Sequence, residues 1–267
     1  MTTRDDSAAS PGNEPATSPV ALVTGGGQRV GARVVEVLVE NGYRVAIHAN
    51  TSLDAARERA AKIRAAGGGA EAFQADVRDE QAVARMVSEI AEQFGRIDVL
   101  VNCAAIWEPT TLEETTADDV RRHFEVNALG SFLCAQHVGL RMVEQETGGT
   151  IVNIGDWAIE RPYREYAAYF PSKGAIPTMT RSLAVELGTR NPRIRVNAVL
   201  PGPVMLPKEM PETERQQVID QTLVRREGSP DHVAHAVIFL LENDFVTGVC
   251  LPVDGGRSVH APEPVQQ

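Results

Sequence analysis

Asp156, Tyr169 and Lys173 fall within one segment, "DWAIERPYREYAAYFPSK", residues 156–173. Tyr169 and Lys173 are four apart and so share one face of a helix. With Asp156 thirteen residues before the tyrosine, three ionisable side chains could converge on one site. Asp156 stands where the apolar run "TIVNI" of 150–154 gives out. A carboxylate there either caps a turn at the end of a strand or belongs to a site that collects perturbed acids. In a desolvated pocket with Tyr169 its pKa would rise, and it could pass a proton through the phenol.

A second constellation is "TGGGQRVG" at 24–31. It follows an apolar run and opens a stretch of helical periodicity, where unpaired N–H groups and the helix dipole favour a phosphate. Its spacing is not G-x-G-x-x-G, because Val30 fills one of the glycine places, so it reads as Gly25, Arg29, Gly31.

These groups need a scaffold. "VALVTGG" at 20–26 and "YRVAIHA" at 43–49 read as strands around a helix closed by Gly42. The alternation continues with a helix at 53–66, a strand in "AEAFQADV", a helix at 79–94, a strand in "IDVLVNCA" and a helix at 117–144. The strand "GTIVNI", a helix at 167–188, the strand "RIRVNAVLPG", a helix at 231–242 and a strand near "VCLPVDGG" complete it. Short apolar strands alternating with longer helices predict an α/β fold: a doubly wound parallel sheet with helices on both faces, Rossmann-like, in a single domain over 19–260. Residues 1–18 are expected to form a disordered tail without secretory or transit character, and 261–267 a short tail. Residues 203–230 interrupt the pattern, either to cover a ligand at the sheet's carboxyl edge or as a plain surface excursion.

The chain has 267 residues, 43% of them hydrophobic, with 22 glycines and a net charge of −10, enough for one sizeable core and unfavourable for nonspecific nucleic-acid binding. Cys103, Cys134 and Cys250 are odd in number and far apart, which suggests neither a disulfide framework nor a metal site and fits a reducing cytoplasm. The longest apolar runs, such as "VIFLL" at 237–241, fall far short of the ~20 residues of a membrane span.

The spacing T-G-x-x-x-R-x-G, with Tyr169-x-x-x-Lys173, resembles the short-chain dehydrogenase/reductase family from about residue 20 to the "DGG" at 254–256. "VNCAAIW" at 101–107 is similar to the family's N-N-A-G strand end, Asn127 in "FEVNALGS" to its helix asparagine, and "PGPV" at 201–204 to its Pro-Gly turn. The resemblance implies a nicotinamide cofactor held by Gly25, Arg29, Val30, Gly31, Asn102, Ala104, Lys173, Pro201 and Gly202, with Asp76 at the adenine and Val77 beneath it. It implies that Lys173 tunes Tyr169, that Tyr169 donates a proton, that Asn127 orders a water behind Lys173, and that the assembly is a homotetramer or dimer. The departures are Cys103 and Ala105 below the nicotinamide, Pro171 between tyrosine and lysine, which fits only the first turn of a helix, and Pro177.

The stretch "IHANTSLD" carries no acid to bond a ribose 2′-hydroxyl at the end of the second strand. Asn50, Thr51 and Ser52 are neutral, and Arg29 supplies charge for a 2′-phosphate, so NADP(H) is expected. Thr51 and Asp54 also have capping-box spacing, and Asp76 has an alternative role as a helix cap. Most members carry Gly at position 29 and Ser at position 156; Arg29 and Asp156 resemble the pteridine reductase branch, including the dihydromonapterin reductases. The substitution has physical content, because a carboxylate repels the oxyanion that a ketone becomes, whereas the N–H groups of a pterin are donors to it. Trp107 stands where that branch stacks an aromatic residue on the pterin, and Tyr163 and Tyr166 either line the entrance or are exposed loop residues. The expected substrate is therefore a dihydropterin-like C=N compound bound by Arg29, Trp107, Asp156 and Tyr169. The alternatives are a carbonyl reductase acting on ketones or 3-oxoacyl groups, and a catalytically silent NADP(H)-binding sensor.

Overall fold

The first strand, β1 (Val20–Thr24), is wholly buried, as an apolar run must be when both faces of a parallel sheet are covered. In the computed structural model, which describes residues 18–260, six further strands join it: β2 (Arg44–Ala49), β3 (Ala70–Gln74), β4 (Val99–Asn102), β5 (Gly149–Ile154), β6 (Ile194–Pro201) and β7 (Cys250–Val253). All pair in parallel in the order β3-β2-β1-β4-β5-β6-β7. The expected doubly wound sheet is present, and of the expected tails residues 1–17 and 261–267 lie outside the described residues.

Alternate strand residues feed two cores. Ala21, Val23, Val45, Ile47, Val99 and Val101 pack on α1 (Arg29–Glu40), α2 (Leu53–Ala65) and α8 (Pro230–Glu242). Leu22, Ala46, Leu100, Ile151 and Val196 pack on α3 (Glu80–Phe94), α5 (Gly130–Glu144) and α6 (Tyr169–Gly188). The period-2 alternation of side chains thus serves both layers. Among the described residues no helix is long and apolar enough to cross a membrane.

Several local expectations are corrected. The helix expected over 117–144 is three pieces, α4 (Ala117–His123), a π-helical turn (Phe124–Leu129) and α5. Thr51 and Asp54 form no capping box: Ser52 is the N-cap of α2, with no side-chain cap bond, and Asp54 pairs with Arg57 instead. Asp76 does not cap α3; Asp79 does, accepting from the N–H groups of Gln81 and Ala82. The interrupting segment folds into a short helix, α7 (Glu212–Asp220), that buries none of its residues.

Candidate active site

The order of the strands reverses between β1 and β4, and the carboxyl ends on either side of such a reversal are where a doubly wound sheet binds ligands. Thr24 ends β1 and accepts, through Oγ1, the N–H groups of Cys103 (3.0 Å) and Ala104 (3.1 Å) just past β4. The two loops are therefore clamped together at that point.

Tyr169 opens α6, and Lys173 follows one turn later, both with 4% of their surface exposed. Pro171 falls in the first turn, where its missing N–H has no intrahelical acceptor to serve. Pro177 lies inside the helix, so it cannot donate to the carbonyl of Lys173 four residues back. Asp156 follows β5 and uses both of its oxygens. Oδ1 accepts the N–H of Ala158 at 2.8 Å, capping the 3₁₀ turn Trp157–Ile159, and Oδ2 accepts the hydroxyl of Tyr169 at 2.7 Å. Cap and acid are thus the same residue.

Burial decides the electrostatics. It raises the Asp156 carboxyl above the ordinary carboxylate range, against the pull of its two hydrogen bonds and of the Lys173 and Arg257 charges. Tyr169 is raised well above an ordinary phenol, first by burial and then by the Asp156 charge. The Lys173 ammonium donates to the Ile154 carbonyl at 2.8 Å, and burial lowers its own pKa. The phenol hydroxyl is directed at the acid.

Asn127 sits in the π-helical turn, fully buried. Its Oδ1 accepts from the N–H of Ile106 (2.9 Å), while Nδ2 donates to the Ile106 carbonyl (3.0 Å) and to Ser172 Oγ (3.0 Å). It braces the loop after β4 against α6. Asn102, expected near the cofactor, turns its amide inward, donating to the Ser131 carbonyl (3.0 Å) and to Asn153 Oδ1 (2.9 Å). Only the backbone after it faces the loop.

The glycine loop has the shape a phosphate requires. Gly25 has φ +65°, and a Cβ there would stand 2.9 Å from Ala104 Cα; a Cβ on Gly31 would stand 2.3 Å from the Gly25 carbonyl oxygen. Gln28 caps α1 without a side-chain bond, and the first turn holds no acid, so the helix start offers its N–H groups outward. Arg29 is exposed in the left-handed region at φ 53°, a conformation natural to Gly. Val30 packs against the core. Asn50 and Thr51 are exposed beside it and Ser52 is half-buried. Asp76 is ion-paired with Arg78 at 2.6 Å, which holds its carboxyl below the ordinary range. Val77 is buried in the core against α5. Gly202, after Pro201, donates its N–H to the Val253 carbonyl and passes so close to Asp254 that a Cβ would lie 2.5 Å from its Cα. These residues fit a dinucleotide. Among the described residues no cluster of three His, Cys, Asp or Glu could hold a metal ion.

Aromatic rings cover the phenol. Trp107 stacks on Tyr166 (centroids 4.9 Å apart, 13° between planes) and donates Nε1–H to the Tyr163 hydroxyl at 3.3 Å. Tyr163 and Tyr166 pack edge-on to each other, and Tyr166 edge-on to Tyr169. Both tyrosines therefore stand at the approach to Tyr169, and one face of Trp107 is covered by Tyr166.

Two residues were not anticipated from the sequence. His48 is buried on β2, where Nδ1 accepts the Gly25 N–H (3.2 Å) and Nε2 meets the Ala75 carbonyl (3.0 Å), an arrangement that requires the neutral ring with its proton on Nε2. Arg257, past β7, lies with its guanidinium carbon 4.6 Å above the ring centre of Trp157. It donates to Gln221 Oε1 at 2.7 Å. The segment after α7 docks on the same turn through the Leu223 N–H and Gly255 carbonyl (2.9 Å). The interrupting segment is thus seated at the carboxyl edge. A histidine within a strand pattern and an arginine after two glycines carry no signal of this kind on their own.

Residues 27–258 match the family described as enoyl-(acyl carrier protein) reductase. The chain is similar to the human 3-oxoacyl-[acyl-carrier-protein] reductase, 35% identical over 239 residues that cover 89% of this chain and 97% of that protein. It is 37% identical to the short-chain reductase protein NovJ of Streptomyces niveus over 249 residues, 89% of this chain and 93% of that one. An uncharacterized oxidoreductase of Methylorubrum extorquens is 36% identical over 244 residues, covering 89% and 96%.

Proposed function

Since the chain belongs to the short-chain dehydrogenase/reductase family, whose members are oxidoreductases that bind a nicotinamide cofactor, we propose that it is an NADPH-dependent reductase of a C=N bond in a dihydropterin-like heterocycle. The observation that carries this reading is the 2.7 Å hydrogen bond from Tyr169 to Asp156. A phenol hydrogen-bonded to a buried acid is a proton donor with a second proton carrier behind it. The nascent oxyanion of a ketone would meet an acceptor where it needs a donor, whereas a ring N–H of a pterin is accepted there.

In this reading the dinucleotide would lie along Gly25, Arg29, Gly31, Asn50, Thr51, Ser52, the backbone at Ala104, and Pro201–Gly202, with Lys173 at the nicotinamide end. When bound, it supplies the hydride. Arg29 offers a charged fork to a 2′-phosphate. Tyr169 donates its proton to the ring nitrogen, Asp156 restores it, and the Lys173 charge steadies the site. Trp107 offers a flat apolar face to the heterocycle. Exposed apolar side chains at Phe124, Phe132 and Leu140 on the α4–α5 rod and Val185 on α6 support a homo-oligomer, and three free cysteines support a cytoplasmic setting.

A second reading, reduction of a 3-oxoacyl or other ketone, is favoured by the naming of the human relative. Assaying the purified protein with NADPH against 7,8-dihydropterins and a panel of ketones and 3-oxoacyl thioesters separates the two; turnover of the carbonyl compounds alone refutes the pterin reading. Loss of turnover on Tyr169→Phe excludes a silent sensor.

A further inference from the structure

We propose that Arg257 anchors a carboxylate on the substrate, so that the preferred substrate is an acid whose reducible bond lies at Tyr169 and whose carboxylate lies at the turn after β7. This deepens, and rests on, the reductase reading above.

The turn is built to hold that arginine still. Asp254 is buried, and both of its oxygens are engaged locally: Oδ1 accepts the Gly256 N–H (2.9 Å) and Oδ2 the Ser258 N–H (2.6 Å). Gly255 and Gly256 take φ values of +67° and +82°, which residues with a side chain reach only with strain. Arg161 then clasps the turn from outside, donating to the backbone carbonyls of Arg257 and His260.

Held this way, the guanidinium lies over the face of Trp157, the residue directly after Asp156. It has five N–H donors, and among the described residues one partner takes one of them, the neutral amide of Gln221. It forms no ion pair among the described residues. The nearby acids are committed elsewhere, Asp254 to the turn and Asp156 to Tyr169 and Ala158. Burial lowers the Arg257 pKa, and its charge is felt by both Asp156 and Tyr163. A half-buried cation with unused donors, and without an ion-pair partner among the described residues, favours a ligand that completes it. Its planar fork matches a carboxylate in two-point contact. On a chain whose net charge is −10, this cation, close enough for Asp156 to feel its charge, is a local attraction for an anion.

The test compares matched acids and neutral analogues on the full-length protein in the presence of NADP⁺. Calorimetric affinities are measured for folate against biopterin and for a 3-oxo acid against its methyl ester, alongside turnover of 7,8-dihydrofolate and 7,8-dihydrobiopterin with NADPH. In at least one pair the wild type should bind the acid about tenfold or more tightly than its neutral partner. Arg257→Met should abolish that preference and Arg257→Lys restore part of it. Gln221→Leu, which removes the neutral hydrogen bond but keeps the charge, should retain it. Equal affinities within both pairs, a preference that survives Arg257→Met, or the same loss in Gln221→Leu as in Arg257→Met each overturn the proposal. If only carbonyl compounds are reduced, the C=N reading falls, while the anchor is still judged on the 3-oxo acid pair.

Discussion

The hydroxyl of Tyr169 donates to Oδ2 of Asp156 across 2.7 Å while Oδ1 of the same carboxyl holds the N–H of Ala158. The acid is thereby fixed in position by the backbone. Replacing Asp156 by Ser exchanges an acceptor for a donor. Turnover of dihydropterins should fall by about tenfold or more, and that of ketones should rise by a comparable factor. Tyr169→Phe should lower both by about 100- to 10,000-fold. Steady-state kinetics on both substrate classes checks this, and a faster dihydropterin reaction in the serine variant would sink the role given to the acid.

Lys173, not Tyr169, should set the alkaline limit of activity. The phenol is raised well above its ordinary value, whereas burial lowers the ammonium. As pH rises through that lowered pKa the site loses its cation, so kcat/KM should decline at a pH below lysine's ordinary 10.5. Lys173→Arg keeps its charge at every accessible pH and should remove the alkaline limb even as the rate drops. A limb that stays in place in this variant would assign it to another group.

Arg29 combines a left-handed backbone with an exposed charge. Substituting Gly relieves the backbone but adds chain entropy to the unfolded state, and the two nearly cancel, leaving stability within about 1 kcal/mol of wild type. The ratio of NADPH to NADH affinity should nevertheless fall about tenfold, the worth of one charge-assisted contact to phosphate. Fluorescence titration with each cofactor measures it; an unchanged ratio would show that the guanidinium does not read the 2′-phosphate.

His48 predicts an acid sensitivity. Burial lowers its pKa in the folded protein, so the unfolded chain binds more protons once pH drops below ~6.5, and stability is lost from there down to the folded pKa. Protonation would also place an N–H where Gly25 needs an acceptor. Between pH 7.5 and 5.5 the wild type should lose about 1 kcal/mol more than His48→Gln, whose amide can accept and donate in the same two directions. Denaturant midpoints at the two pH values decide it.

Much of the scaffold was readable because strands such as 20–24 are continuous apolar runs and the loop at 25–31 needs its glycines for contact distance. The convergence of Asp156, Tyr169 and Lys173 was readable too, since one strand end and one helical turn bring them together. What escaped was governed by burial and direction. Desolvation and the adjacent acid push the Tyr169 pKa up, which residue types alone do not disclose. Thr51 and Asp54 have the right interval for a capping box, yet Ser52 enters α2 with ψ 34°, outside the extended geometry a cap requires. Arg257 is remote in sequence from Asp156, and only the β6–β7 pairing carries its turn to the site.

The two-point attachment of Asn127 to Ile106 imitates a rung of sheet hydrogen bonding, made by a side-chain amide from within a helix. It exists because the widened π turn holds one residue more than a regular α pitch would. Deleting a single residue there would tighten the pitch and swing everything from Gly130 onward by roughly 100°. The rim at Trp107 would lose its tether and the second core its register, so losing one residue from this rod would cost more than exchanging one on its exposed side.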